Sequence, residues 1–152
     1  MKKPPFVQSF RYAAQGICAA LREERNMRFH VCAAFYVYLF SLFYDFTRTE
    51  YCLITIMVGG VIALELVNSS LERAVERPVP ERYMTAGAVK DMAAGAVLVF
   101  SIASAICGVV LFFDVAAFGR MWRFFLQWPL AAFVLVISFV LAYRFIFHKK
   151  GE

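Results

Sequence analysis

Charged residues are absent from four long stretches of this 152-residue chain. Val31–Tyr44 and Tyr51–Leu64 have fourteen residues each, Met92–Phe113 has twenty-two and Phe124–Tyr143 has twenty. A helix needs about twenty apolar residues to cross the hydrocarbon core of a bilayer. Apolar residues also make up 62% of the chain, which excludes an ordinary soluble domain. With their flanks added, the four stretches predict four membrane-spanning helices.

Several common site signatures are missing as well. The chain has neither the phosphate-binding pattern G-x-x-x-x-G-K-[ST] nor the motif set of protein kinases, so the usual nucleotide-binding folds are excluded. Its four cysteines show no C-x-x-C spacing, which predicts unpaired thiols that pack as small apolar groups. Nothing in the pattern indicates a nucleic-acid partner, and the net charge of +5 suits attraction to anionic lipid.

Positive charges concentrate in three short segments: before the first predicted span, between the second and third, and after the fourth. These segments hold thirteen of the sixteen Lys and Arg residues, and the others are Arg48, Arg120 and Arg123. Cytoplasmic loops of membrane proteins are enriched in Lys and Arg. The pattern therefore predicts a multi-pass protein with both termini and the Arg73–Lys90 loop in the cytoplasm.

The hydrophobic pattern predicts an all-α membrane protein with one surface helix and four spans. The surface helix is an amphipathic segment at 9–28. The next three spans are predicted at about 28–45, 50–76 and 88–113. Thr47 is a candidate cap for the second of them. An additional C-terminal transmembrane helix at about 122–146 precedes a basic cytoplasmic tail, so we divide the chain into a core, 1–115, and an addition, 116–152.

A carboxylate interrupts the end of the second predicted span. Glu65 follows fourteen uncharged residues and, at about 100° per residue, shares one helical face with Asn68, Glu72 and Glu76. A carboxylate in apolar surroundings is costly, so it normally faces a bundle interior or a functional site. Counted along the helix, Glu65 lies just inside the cytoplasmic boundary of the bilayer and Glu72 lies at the water. A site here can receive an amphiphile from the bilayer and a charged reactant from water.

The residues around this face suit phosphate transfer. The candidates for metal binding are Glu24, Asn68, Glu72 and Glu76. Oxygen donors of this kind suit Mg²⁺, which typically uses one or two carboxylates together with substrate phosphates. Lys90 can neutralise phosphate charge, and Glu65 can accept a proton from an alcohol. The alternative is a polar bundle interface in a small transporter or accessory subunit, with Glu65 paired to a Lys or Arg.

Three motifs favour the first interpretation. They are ERNMRFH at 24–30, ELVNSSLE at 65–72 and VKDMAAGAV at 89–97. The second is similar to E-x-x-N-[ST]-A-I-E and the third to A-K-D-x-x-[AS]-[AG]-A-V, patterns of the prokaryotic diacylglycerol kinase family, which includes undecaprenol kinases. The chain resembles this family from about Phe10 to Phe113. The E-x-N-x-x-x-H form of the first motif, with Ala-Gly-Ala in the third, is most similar to the undecaprenol kinase branch.

The resemblance implies an ATP- and Mg²⁺-dependent lipid kinase of the bacterial inner membrane. It makes Glu65 the general base that deprotonates the lipid hydroxyl, and it makes Glu24 and Glu72 the ligands of a Mg²⁺ ion that bridges ATP phosphates. The implied nucleotide contacts are Tyr12, Glu24, Asn68, Glu72, Glu81, Lys90 and Asp91. Glu76 is a supporting residue, because it stands where the family usually has Asp.

The expected function is therefore phosphorylation of undecaprenol, with diacylglycerol as the alternative acceptor. A non-enzymatic four-helix membrane subunit or transporter fragment is the alternative of a different class. Members of the family are homotrimers whose sites combine elements of neighbouring subunits, so a homotrimer is expected here. For His30 we expect an interfacial hydrogen-bonding role. The sequence leaves the role of the additional C-terminal helix open.

Overall fold

The computed structural model describes residues 6–75 and 83–147, and this part of the chain forms helices and short connections without any strand. The helices are α1 (Phe6–Glu23), α2 (Arg25–Ser41), α3 (Arg48–Val75), α4 (Tyr83–Phe112), α5 (Val115–Gln127) and α6 (Pro129–Phe147). The predicted all-α fold is confirmed, and the four cysteines are unpaired thiols as predicted. The candidate site residues Glu76 and Glu81, and the basic tail at 148–152, lie outside the described residues.

Three of the described helices are long and apolar enough to cross a membrane: α3, α4 over Ala86–Phe112, and α6. Their outward side chains are large and apolar, such as Ile56, Val99 and Phe133. Such a surface suits lipid tails and is foreign to water. α2 has seventeen residues, somewhat fewer than the roughly twenty of a typical span. Its predicted crossing of the membrane therefore stays a prediction.

The surface helix α1 ends earlier than predicted. It stops at Glu23 instead of at residue 28, because Glu24 has an extended backbone (φ −97°, ψ 121°) that separates α1 from α2. Only the last turns of α1 are covered by other helices, at the buried Ala20. The remaining apolar side chains of α1 are exposed, as expected for a helix that lies on a membrane surface.

α3 begins with a capping box. The backbone N–H of Thr47 donates to Oε2 of Glu50 at 2.7 Å, and the backbone N–H of Glu50 donates to Oγ1 of Thr47 at 3.3 Å. This reciprocal arrangement satisfies two N–H groups that the start of a helix leaves without partners. The predicted cap at Thr47 is confirmed.

α3 and α4 form the principal helix pair of the fold. They approach each other closely where the ring of Phe100 covers Gly60, and a Cβ atom added at Gly60 would collide with that ring. The small residues 93–96 of α4 would also permit close approach of another helix. Within the single chain, however, open space surrounds the Cβ position of Gly95.

The predicted additional transmembrane helix in the C-terminal part of the chain is α6, which begins at Pro129 instead of near residue 122 because a separate helix, α5, precedes it. Asp114 caps α5 by accepting a hydrogen bond from the backbone N–H of Ala116 at 2.8 Å. α6 begins at Pro129, whose fixed φ and missing N–H suit the first position of a helix. Trp128 between them is not helical, since a residue before proline avoids the α region. The prediction missed this break because the uncharged stretch continues across it.

Candidate active site

The buried face of α3 changes from apolar to polar toward its C-terminal end. Val61 is buried, and the next buried side chains along this face are Glu65 and Asn68, which are 2% and 6% exposed. Nδ2 of Asn68 donates a hydrogen bond to Oε1 of Glu72 at 3.1 Å, one helical turn further on. The structure therefore places Glu65, Asn68 and Glu72 side by side, as their spacing predicts.

The break between α1 and α2 brings another carboxylate to this face. Glu24 is the residue at the break, and its charge and that of Glu72 both act on Glu65 at short range. The side chain of Asn26, in the first turn of α2, lies near the Glu65 carboxylate. Three carboxylates, one from the α1–α2 break and two from α3, thus lie near one another, and we call Glu24, Glu65 and Glu72 the acidic cluster.

Arg73 supplies positive charge at the edge of the acidic cluster. Its Nη2 lies 3.0 Å from Oε2 of Glu23 and 3.7 Å from Oε1 of Glu24. Arg73 is the residue after Glu72 in α3, and its guanidinium reaches the end of α1. Its two ion pairs balance charge and hold the α1–α2 break against α3.

Arg28 ties together the ends of three helices around the same break. Its Nη1 donates to the carbonyl oxygens of Arg22 at 3.0 Å and Leu21 at 3.5 Å, both in the last turn of α1. Its Nε donates to the carbonyl oxygen of Ile146, in the last turn of α6, at 3.3 Å. The last four carbonyls of a helix have no partner within the helix, so Arg28 satisfies groups that would otherwise need water.

An apolar groove of about 570 Å³ lies between α2, α3 and α4. It is bordered by residues from all three helices, including Ala33, Val37, Met57, Ser104 and Gly108. Toward the acidic cluster its lining ends at Phe29 of α2 and Val61 of α3. Asn26 and Glu65 each lie one helical turn beyond these residues. The groove therefore leads from the membrane interior to the buried carboxylate.

Two polar atoms beside the acidic cluster lack a partner. Within the described residues, Oδ1 of Asn68 and Oγ of Ser69 are buried and make no hydrogen bond. An unpaired buried polar atom is costly and is rare in native proteins. These two atoms are therefore available to a bound group or to water.

The chain is similar to known proteins over most of its length. Residues 11–112 match the model of the family described as prokaryotic diacylglycerol kinase. The chain is 37% identical over 107 residues to the undecaprenol kinase of Bacillus subtilis, an overlap of 70% of this chain and 87% of that protein. It is 32% identical over 108 residues to the diacylglycerol kinase of Haemophilus influenzae, which covers 70% of this chain and 92% of that protein. The diacylglycerol kinase of Synechocystis is 33% identical over 106 residues, 69% of this chain and 61% of that protein.

The chain belongs to the prokaryotic diacylglycerol kinase family. It is therefore a lipid kinase and an integral membrane protein, and the non-enzymatic alternative is wrong. The matched residues run from α1 to the end of α4, so α5 and α6 lie outside the match. No solved structure gives a significant match to the chain.

The acidic cluster of this lipid kinase suits a metal ion that arrives with phosphate. Among the described residues, no three His, Cys, Asp or Glu side chains are placed to hold one metal ion together. A cage made only of protein groups is therefore not formed by this part of the chain. Mg²⁺ usually needs one or two carboxylates because water and substrate phosphates complete its coordination. Glu24, Glu72 and the unpartnered Oδ1 of Asn68 are hard oxygen donors of the required kind.

The remaining candidate residues of the kinase are less closely tied to the acidic cluster. Lys90 is half-buried on α4, Asp91 is exposed beside it, and Tyr12 of α1 is 53% exposed. In the described part of the chain, no hydrogen bond or ion pair joins any of them to the acidic cluster. His30 packs edge-on against Phe29, with ring centroids 5.5 Å apart. Its expected hydrogen bond is not made to any described residue.

Sequence reasoning missed the structural contribution of Arg28 and Arg73. Both appeared only as part of the positive charge that predicted the orientation. Arg28 lies four residues after Glu24 in the first motif, a spacing that indicates proximity to the start of α2. Nothing in the sequence, however, indicates that its partners are carbonyl oxygens of α1 and α6.

Proposed function

We propose that this lipid kinase transfers the γ-phosphoryl group of ATP to the hydroxyl group of undecaprenol, with Mg²⁺ as cofactor. The observation that carries the proposal is the position of Glu65, a buried carboxylate one turn beyond the end of an apolar groove. A hydrocarbon chain in that groove would bring its terminal hydroxyl to the carboxylate.

Glu65 acts as the general base in this proposal. Its carboxylate takes the proton of the lipid hydroxyl while the hydroxyl oxygen attacks the γ-phosphorus of ATP. A new oxygen–phosphorus bond forms, the bond to the bridging oxygen breaks, and ADP leaves with the electron pair of that bond. The Asn26 side chain, which lies near the Glu65 carboxylate, helps to position it for this transfer. A positioned base of this kind contributes about 10²- to 10⁴-fold in rate.

Glu24 and Glu72 are the proposed metal ligands, with Asn68 beside them. Mg²⁺ supplies positive charge that offsets the charge of the ATP phosphates. The hydrogen bond between Asn68 and Glu72 fixes one carboxylate oxygen and leaves the other oxygen of Glu72 free to bind. Nη2 of Arg73 lies 3.7 Å from Oε1 of Glu24. Because this distance is longer than a hydrogen bond, the Glu24 carboxylate can accept another partner.

Tyr12, Lys90 and Asp91 are the proposed nucleotide contacts from the other helices, and Glu76 and Glu81 keep their proposed supporting and nucleotide-binding roles. The half-buried position of Lys90 near the start of α4 suits a cation that meets phosphate at the membrane boundary. A homotrimer would let one chain present Lys90 and Asp91 to the acidic cluster of its neighbour. This arrangement, with both termini in the cytoplasm, places ATP on the side where the cell supplies it.

Three observations favour undecaprenol over diacylglycerol as the acceptor. The undecaprenol kinase of Bacillus subtilis has the higher identity, 37% against 32% and 33% for the two diacylglycerol kinases. Asn26, which belongs to the undecaprenol-kinase form of the first motif, lies near the proposed base. The apolar lining of the groove also suits a polyprenyl chain, which carries no polar group apart from its terminal hydroxyl.

The test is phosphate transfer from labelled ATP to undecaprenol and, separately, to diacylglycerol in mixed micelles with Mg²⁺. We expect transfer to undecaprenol to exceed transfer to diacylglycerol at equal surface concentration, and we expect a chelator of Mg²⁺ to abolish both. Preference for diacylglycerol would contradict the acceptor while leaving the mechanism intact. Full activity in the presence of the chelator would contradict the proposed role of Mg²⁺.

A further inference from the structure

The two C-terminal helices lie outside the part of the chain that matches the family, yet they contact the part that does. α6 runs antiparallel along α2, so its last turn lies beside the first turn of α2. Arg28 pairs with Ile146 at one level and Tyr36 with Ser138 at another. α5 precedes α6 and lies at the opposite end of α2. The C-terminal helices therefore contact α2 at three levels.

The middle level fixes the register of the two helices. The hydroxyl of Tyr36 donates to Oγ of Ser138 at 3.1 Å. The ring of Tyr36 also stacks on Phe139 with centroids 4.4 Å apart and an angle of 19° between the planes. A hydrogen bond and a ring stack at neighbouring positions resist both sliding and rotation of α6 along α2.

The end of α2 that is distant from the acidic cluster is held by α5. Nε of Arg120 donates to the carbonyl oxygen of Phe43 at 2.8 Å. The ring of Phe43 contacts Phe124 and Phe125 at centroid distances of 5.2 and 5.9 Å. These contacts anchor α5 to the connection that follows α2.

The third level lies at the acidic cluster. Arg28 donates to the carbonyl oxygen of Ile146, and the guanidinium of Arg25 lies 5.8 Å from the ring centroid of Phe147. Cations are favourable at the C-terminal end of a helix, where the unpaired carbonyls carry partial negative charge. The same Arg28 guanidinium holds the last turn of α1, so one side chain fixes α1, α2 and α6 around Glu24.

We propose that the C-terminal turn of α6 is part of the machinery that positions Glu24, and that Arg28 is the positioning residue through which it acts. With α6 in place, Arg28 is held from two sides and the α1–α2 break keeps one geometry. Without that support the guanidinium keeps only its α1 partners, and the Glu24 carboxylate loses its fixed position. The inference rests on the proposed role of Glu24 in binding Mg²⁺ with ATP.

The test compares single substitutions in the full-length protein. Arg28→Gln removes the bonds to α1 and α6, and Phe139→Ala weakens the hold of α6 on α2 without touching the acidic cluster. The readouts are KM for Mg·ATP, KM for the lipid, and the affinity for the Mg²⁺ complex of a non-hydrolysable ATP analogue, measured by calorimetry in detergent. Arg120→Gln is the matched control, since it removes an arginine-to-carbonyl bond at the distant end of α2.

We expect Arg28→Gln to weaken Mg·ATP analogue binding by roughly five- to tenfold, as for the loss of a charged hydrogen bond. Phe139→Ala should weaken it in the same direction by about two- to threefold. KM for the lipid should stay unchanged in both, and Arg120→Gln should leave analogue affinity unchanged even if it lowers thermal stability.

Two results would overturn the inference. If Phe139→Ala leaves analogue affinity at the wild-type value, α6 has no positioning role, whatever Arg28→Gln does. If Arg120→Gln weakens binding as much as Arg28→Gln, the effect reflects general loss of stability. A separate variant, Glu24→Gln, tests the underlying assignment, because wild-type analogue affinity in that variant would remove Glu24 as a metal ligand independently of α6.

Discussion

The two ends of the bundle formed by α2, α3 and α4 each place an arginine between two carboxylates, but they differ in what surrounds that arginine. At the end that is distant from the acidic cluster, Arg120 lies 3.2 Å from Asp45 and 3.7 Å from Asp114. There the hydroxyl of Tyr44 donates to the carbonyl oxygen of Phe112 at 2.8 Å, among stacked aromatic rings. At the other end, Arg73 pairs with two carboxylates beside buried polar atoms that have no partner among residues 6–75 and 83–147.

The polar groups of the distant end stabilise the fold, whereas those of the end with the acidic cluster hold a reactive group. The distant end uses its polar groups on one another and on backbone carbonyls, and its carboxylates are exposed, with Asp45 at 91% of its side chain. The end with the acidic cluster buries Glu65 and leaves Oδ1 of Asn68 unpartnered. Substitutions at the end with the acidic cluster should therefore change turnover and nucleotide binding, whereas substitutions at the distant end should change stability.

The largest effect is expected for Glu65→Gln. The amide keeps the shape of the side chain but cannot accept the hydroxyl proton, so lipid phosphorylation should fall by about 10²-fold or more. Binding of the Mg·ATP analogue should stay within a factor of about two. Asp45→Asn makes the same chemical change at the distant end and should leave turnover at the wild-type rate. Wild-type turnover in Glu65→Gln would remove the base assignment.

Glu72→Gln should act on nucleotide binding more than on the chemical step. It removes a proposed Mg²⁺ ligand while keeping an oxygen that can accept from Asn68, so KM for Mg·ATP should rise by roughly tenfold. Titration of activity with Mg²⁺ at fixed ATP checks this, since the half-saturating concentration should rise as well. A large fall in kcat with unchanged Mg²⁺ dependence would contradict the assignment.

Gly60→Ala should lower stability without changing the acidic cluster. The added methyl group meets the ring of Phe100, and overpacking of this kind costs about 1–3 kcal/mol. Gly59→Ala is the matched control, because open space surrounds that position, and it should be neutral or slightly stabilising. Thermal unfolding in detergent measures both. Equal midpoints for the two variants would show that α3 and α4 do not pack as closely as the structure indicates.

The smallest effect is expected for the free energy of unfolding when Arg73 and Arg120 are each replaced by Gln. Arg73→Gln removes partly exposed ion pairs, which contribute up to about 1 kcal/mol. Arg120→Gln also removes the hydrogen bond to the carbonyl oxygen of Phe43, so it should lower the unfolding midpoint further. The reverse order would mean that the α1–α2 break contributes more stability than the anchoring of α5.

The sequence predicted α3 best, because helical periodicity places its residues on one face without reference to the rest of the fold. Glu65, Asn68 and Glu72 share a face as expected, and Thr47 caps the helix. The limits of α1 and α6 were predicted poorly. Neither glycine nor proline marks the break at Glu24, and the break before Pro129 falls inside a continuous apolar stretch.

The contacts that hold the acidic cluster could not be predicted in this way. Arg28 is 118 residues from Ile146 in the sequence, and its acceptor is a backbone carbonyl, which every residue carries. Arg73 pairs with Glu23 and Glu24 only because the chain reverses between α1 and α3. Residue patterns along one helix carry no information about such partners. The metal-binding, nucleotide-binding and base assignments stay predictions until the variants above are measured.

The length of α5 has a consequence for how the C-terminal helices fit the kinase. Thirteen helical residues extend about 20 Å, and α5 spans the gap between the end of α4 and the side of α2 where α6 descends. The chain thereby bypasses the outer surface of α4. If one helical turn were deleted from α5, the connection before α6 would be too short for α6 to reach α2. Substitutions on the exposed face of α5 would leave that reach unchanged. The length of α5 and its contacts with Phe43 together set which helix of the kinase receives α6.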